Sequence, residues 1–333
     1  MLKYNGFKDC KIERIESYET NEVGYKIIVP ASQEKGFAYP YVVFVPDGID
    51  EMTNLIVEGA NTGKCKENLE EGIQDVVNGF MQTKITKWNV STNYPVLTPA
   101  FPRFYDKQNG GIYTHMLTSQ VLQYKNHNLD RIDIQLINMI NDIKERLSKS
   151  NVFIDEKVIL DGFSASAKFV TRFALLHPEI VKLVIAGGVS GNCILPIREL
   201  DGERLLYPIG CGNIDEITDN KIELFKQIQQ FYYMGELDID NDPFRVNVDG
   251  SLVFHGTIEK DEAEQLNRIV GSKMMPDRWN KTQQFYYALG VNAIFKTYDG
   301  FAHDPTPAKD DVIFLLDKYN LNKTNENNRS ILI

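Results

Sequence analysis

Lys157-Val158-Ile159-Leu160-Asp161-Gly162-Phe163-Ser164-Ala165-Ser166-Ala167-Lys168-Phe169-Val170 is the stretch on which the fold turns. Val158 to Leu160 is a short apolar run rich in β-formers, and it reads as a strand. Beyond the turn, Phe169, Phe173 and Leu176 recur at helical spacing, and His177-Pro178 ends that helix because the residue before a proline is pushed out of the α region. Small residues fill the turn itself, with Gly162 two places before Ser164 and Ser166 two places after it. A sharp strand-to-helix turn can present a serine hydroxyl, and it needs small neighbours because its backbone is strained and closely packed. A bare GxSxS is common by chance. The strand before it and the helix after it make it informative.

Outward from this unit the alternation continues. Residues 23–30, 41–46, 54–58 and 94–99 read as strands, as do 157–161, 181–186, 230–235 and 293–298. Helical spacing covers about 67–80, 130–148 with Asp130 at the N-cap position, 166–176, 277–289 and 309–319. Strands alternating with helices imply right-handed crossovers and a mostly parallel sheet with helices on both faces. The expected fold class is therefore α/β, one domain over residues 1–333. Segment 192–222, rich in Gly, Pro and charge, and the irregular stretch 239–275 are expected as cap insertions, and 321–333 as a frayed tail.

The bulk numbers remove several classes of function. A net charge of -10 and a pI near 5.1 leave no basic face for nucleic acid. No GxGxxG or GxxxxGK[ST] occurs, and no HExxH or Cys/His cluster, so no cofactor and no metal are expected. Asp238, Asp240 and Asp242 superficially suggest a calcium loop, but its glycine at the sixth position and glutamate at the twelfth are missing. The four cysteines lie apart and are expected as free thiols. With no apolar leader at Met1–Gly6 and no membrane-length apolar run, the expected location is cytoplasmic, without a membrane partner.

Ser164 needs a base within hydrogen-bond reach, an acid to orient that base, and donors for an oxyanion. On a parallel sheet these should follow later in the chain, acid before base, just past strand ends. Asp238 follows the strand ending at Gly235, and His303 follows the strand ending at Tyr298. Glu236 is the alternative acid. Ala165 is the expected first oxyanion donor, with Ala60 or Asn61 in the loop after residues 54–58 as the second. Of the other histidines, His177 reads as a cation at a helix C-terminus. His115, His127 and His255 read as surface residues, His255 with the option of lining the pocket.

These residues resemble the α/β-hydrolase superfamily over roughly residues 20–320, and within it esterases of the polyhydroxybutyrate-depolymerase-like and acyl-esterase branches. The pieces that carry the resemblance are 55–61, 95–99, 161–166, 233–238 and 299–303. The resemblance implies Ser164 as nucleophile, Asp238 as acid and His303 as base. Two positions depart from it: Glu58-Gly59 stands where His-Gly is usual, and Ser166 where Gly is usual. The function expected is hydrolysis of a small-molecule carboxylic ester through an acyl-enzyme, with Tyr232, Tyr233, Phe244 and Trp279 as candidate acyl-pocket walls. The rivals are a peptidase or other acyl transferase using the same triad, and a non-catalytic binding protein on the same fold. A homo-oligomer is compatible with the sequence, which fixes neither oligomeric state nor acyl and alcohol specificity.

Overall fold

The computed structural model describes residues 4–17, 22–60, 65–189, 193–239, 244–246, 252–254, 260–271 and 273–319. Nine strands form the main sheet: β1 (Lys11–Ser17), β2 (Glu22–Val29), β3 (Tyr41–Pro46), β4 (Ile56–Glu58), β5 (Val96–Pro99), β6 (Val158–Phe163), β7 (Val181–Gly187), β8 (Gln229–Gly235) and β9 (Ala293–Tyr298). Their spatial order is β1-β2-β3-β5-β4-β6-β7-β8-β9. β1, β2, β3 and β5 pair antiparallel in turn, and from β5 to β9 every pairing is parallel. Every side chain of β3, β4, β5 and β6 is buried, which is why these strands read as continuous apolar runs and not as alternating ones.

Seven helices matter for the site and the packing around it. They are α1 (Leu69–Gly79), α2 (Lys84–Val90), α3 (Ile132–Ser148), α4 (Ala165–Leu176), α5 (Lys260–Val270), α6 (Trp279–Ala288) and α7 (Lys309–Lys318). One face of the sheet packs Val57, Leu160, Val184 and Tyr232 against α3, α4 and α6. The other packs Ile56, Ile159, Ile185 and Tyr233 against α1, α2 and α7. Burying one Leu, Ile or Phe in either layer contributes about 1.5–3 kcal/mol, so two layers of this size hold the fold without a disulfide. None of the helices among the described residues is long and apolar enough to cross a membrane.

Several expectations need correction here. Asp130 is not the N-cap of α3: Arg131 holds that position, left-handed at φ 45°, with no side-chain cap. The turn before it is held instead by Gln135, whose amide donates to the carbonyls of Asn128 and Asp130 at 2.8 and 3.0 Å. Tyr232 and Trp279 are core residues and not pocket walls. Tyr232 donates to Gln230 and stacks on Phe295, while the Trp279 indole donates to Thr297 at 2.9 Å. Tyr233 is buried too, on the opposite face of the sheet. The Phe244 side chain, Asn61 and His255 lie outside the described residues.

The two segments expected as insertions pack on each other through their described residues. Leu195, Leu205 and Ile209 from the first meet Leu266, Ile269 and Val270 of α5 in a third apolar cluster. Gln265 and Arg268 of α5 bond the Glu203 carboxylate at its edge.

Candidate active site

A mostly parallel sheet wound in this order, with helices on both faces, is the α/β-hydrolase fold, and such sheets collect their chemistry where the parallel strands end. At the end of β6 the chain turns into α4 through Ser164, which adopts φ 61° and ψ -121°. A non-glycine residue pays about 1–3 kcal/mol for such a conformation, so the surroundings must enforce it. The Ser164 N–H donates to the Gly187 carbonyl of β7 at 2.8 Å. Ser166 closes the turn from the other side: its hydroxyl accepts from the Phe163 N–H at 2.9 Å and donates to the Phe163 carbonyl at 2.8 Å. A serine in place of the usual glycine therefore supplies two bonds to the elbow. Gly162 has no such latitude, since a Cβ there would lie 2.5 Å from the Ser166 carbonyl oxygen. Gly162→Ala is expected to cost roughly 1–3 kcal/mol, read as a lower urea midpoint with an unchanged m-value.

Asp238 and His303 meet across the loops that follow β8 and β9. Asp238 Oδ2 is 2.7 Å from His303 Nδ1, with the aspartate 1% exposed and the imidazole 21%. The loops are laced together by backbone bonds, Glu236 N–H to Tyr298 and Leu237 N–H to Phe301. Phe163, the residue before Ser164, lies against the imidazole at 4.7 Å between ring centroids. A Cβ on Gly188 would come within 2.9 Å of His303 Cε1, which locates the ring over the end of β7 beside the elbow. Glu236 faces away, its carboxylate accepting from the Gly300 N–H at 2.9 Å. Of the two acids read from the sequence, Asp238 is the one the fold brings to the histidine.

The segment expected to supply the second oxyanion donor follows β4. The Gly59 N–H is already committed to the Asp161 carbonyl at 3.3 Å, which leaves the half-buried Ala60 as the next N–H along the chain. Ala165 opens α4, where the first-turn N–H groups have no intrahelical partner. Behind both segments lies a feature that was legible only as a departure from the family pattern. Glu58 is 5% exposed, and its carboxylate accepts from the hydroxyls of Thr86 (2.7 Å) and Thr83 (3.3 Å) and from the Asn89 amide (3.4 Å), all on or capping α2. Burial pushes its carboxyl up to about 7, against the pull of those three donors. Beside it Asp161 is fully buried, and burial together with the Glu58 charge holds its carboxyl well above the ordinary range. The available signal was a carboxylate closing each of two apolar runs, Val57-Glu58 and Leu160-Asp161, on neighbouring strands.

The remaining histidines do other work. His177 is the C-cap residue of α4 and is buried, with Nε2 2.9 Å from Asp133 Oδ2 where α4 packs on α3. His115 is half-buried, and burial plus the nearby Arg103 and Lys168 charges hold its imidazole well below the ordinary value. His127 is exposed, its ring stacked on Tyr124.

No protein-family model matches the chain, and no curated protein matches it. Among solved structures it is similar to a poly(aspartic acid) hydrolase from Sphingomonas sp. KT-1, at 14% identity and a TM-score of 0.49 over 92% of this chain and 98% of that one. It is also similar to a poly(3-hydroxybutyrate) depolymerase from Bordetella parapertussis, at 13% identity and a TM-score of 0.48 over 93% and 91%. An S-formylglutathione hydrolase from Agrobacterium tumefaciens aligns at 9% identity and a TM-score of 0.46 over 92% and 99%. Likenesses this faint carry no chemistry across.

Proposed function

We propose that this chain is a serine hydrolase of carboxylic esters, with Ser164 as nucleophile, His303 as base and Asp238 as the acid that orients it. The observation that supports this reading is the Asp238–His303 bond, made at two strand exits beside a serine held in a strained elbow. Asp238 on Nδ1 leaves Nε2 as the nitrogen to take the proton from the Ser164 hydroxyl. The serine then attacks the carbonyl, and N–H groups of Ala165 and of the Ala60–Asn61 segment receive the oxyanion. Water releases the acyl-enzyme by the same route. The two insertions act as a cap, and the substrate is a small ester in a soluble compartment.

The test is a panel of p-nitrophenyl esters set against aminoacyl anilides. Turnover of the esters with little turnover of the anilides is the expected result. Activity on the anilides alone would replace the esterase reading with a peptidase one.

A further inference from the structure

Glu58 and Asp161 are register partners on adjacent parallel strands, so their Cα atoms lie side by side, about 4.8 Å apart, and their side chains share one face of the sheet. Each is followed by a segment that the proposed mechanism uses. Gly59 and Ala60 follow Glu58, and the elbow Gly162 to Ala165 follows Asp161.

The two carboxyl groups are solvated very differently. Glu58 receives three donors, as an anion requires. Asp161 has neither carboxyl oxygen in a hydrogen bond, and the Asn89 amide and Gly162 N–H approach it without bonding geometry. A fully buried carboxylate with no donor is untenable, and two adjacent carboxylates cannot both ionise away from water. A neutral acid beside an anion resolves both problems, because the acid becomes the donor its partner can accept.

We infer that Asp161 is held as a neutral carboxylic acid at neutral pH and donates its proton in a hydrogen bond to the Glu58 carboxylate, clamping the oxyanion loop to the nucleophile elbow. The pair consists of positioning residues, and it rests on the serine-hydrolase reading above. The transfer of charge is simple: at alkaline pH the Asp161 proton leaves to hydroxide, two anions face each other, and the clamp opens. The groups facing the pair do not supply a compensating cation. β8 brings Tyr233, whose phenol is buried and held neutral far above its ordinary range. From α2 come Thr86 and Asn89, while Lys84 reaches Asp304 at the surface and Lys87 is exposed. α1 presents Val76, β5 presents Thr98, and Asp311 of α7 is bonded to Lys296 and Tyr298. No third Asp, Glu, His or Cys joins the two carboxyls in a metal-like group among the described residues.

The sign of the stability effect follows from linkage. The folded chain holds these protons more tightly than the unfolded chain does, so stability falls as pH rises from the ordinary carboxyl range through the folded-state ionisation. Two measurements test the inference from about pH 6 to about pH 10: kcat for an ester substrate, and urea unfolding at fixed ionic strength. Wild type is expected to lose kcat at least tenfold at the alkaline end with KM little changed. Asp161→Asn, whose amide still donates and cannot ionise, is expected to remove that alkaline limb. It should also flatten the pH dependence of unfolding by about one proton, a tenfold change in folding constant per pH unit. Glu58→Gln is expected to remove the limb as well, and Asp161→Ala to lower kcat at every pH. If no ester is turned over at all, the unfolding arm still decides on the proton. An alkaline limb and a stability slope that survive in both Asp161→Asn and Glu58→Gln would overturn the inference. Should Asp161→Asn not fold, Glu58→Gln and wild type decide it. Stability that depends on one particular cation at fixed ionic strength would also overturn it, by putting a metal ion where the proton is assigned.

Discussion

Ser164→Ala is expected to abolish ester turnover, with kcat/KM falling roughly 10⁴-fold or more and covalent labelling by a fluorophosphonate probe disappearing. The size follows from losing the atom proposed to form the acyl-enzyme, with the residual rate left to the proposed oxyanion donors and binding. The elbow should survive, since an alanine at φ 61° keeps the bond from the residue 164 N–H to Gly187. Ser166→Ala is the informative contrast. It deletes a buried hydroxyl that bonds Phe163 twice and leaves the Phe163 N–H without its acceptor. That predicts a loss of stability of about 1–3 kcal/mol with labelling retained. Labelling that survives Ser164→Ala would mean that another side chain is the nucleophile.

The second large effect is at the acid. Asp238→Asn is expected to lower kcat about 10³–10⁴-fold while leaving the fold intact, because the asparagine amide favours the wrong imidazole tautomer. Glu236→Gln should leave the rate near wild type, since a glutamine oxygen can still accept from the Gly300 N–H. A reversed pattern, with Glu236→Gln crippled and Asp238→Asn active, would reassign the acid. Steady-state kinetics on the same ester read both variants.

The central strands β3, β4, β5 and β6 were legible because each is buried on both faces, so Val158-Ile159-Leu160 and Tyr41-Val42-Val43-Phe44 carry unbroken apolar runs. β1 was missed for the opposite reason. Lys11-Ile12-Glu13-Arg14-Ile15-Glu16-Ser17 is an exposed edge, and its charges conceal a strand whose register comes from pairing with β2. α2 is short, and its sequence Lys-Ile-Thr-Lys-Trp-Asn-Val carries β-branched residues that lower helix propensity. Its helicity rests on the Thr83 cap and on packing over the sheet.

At the site, chain order alone led to Asp238 and His303. It could not separate Asp238 from Glu236, because the choice depends on how the loops after β8 and β9 lace together. Nor could it show what Glu58 meets, because its three donors arrive on a helix 25 to 31 residues further along the chain. What His177 meets was hidden for the same reason. Its partner Asp133 comes from another helix, 44 residues earlier in the chain.

The exposed edge at β1 bears on how copies of this chain could assemble. An outermost strand offers a row of unpaired amides and carbonyls on which a second sheet could grow. Here that row carries Lys11, Glu13, Arg14 and Glu16, all exposed, and Arg14 is already bonded to Tyr25, Glu16 and Asp47. Continuing the sheet into a neighbour across β1 would strip water from four charges and break the contacts of one of them. Edge-to-edge polymerisation is thus disfavoured on this side, and a lower-energy route to any assembly runs through other surfaces.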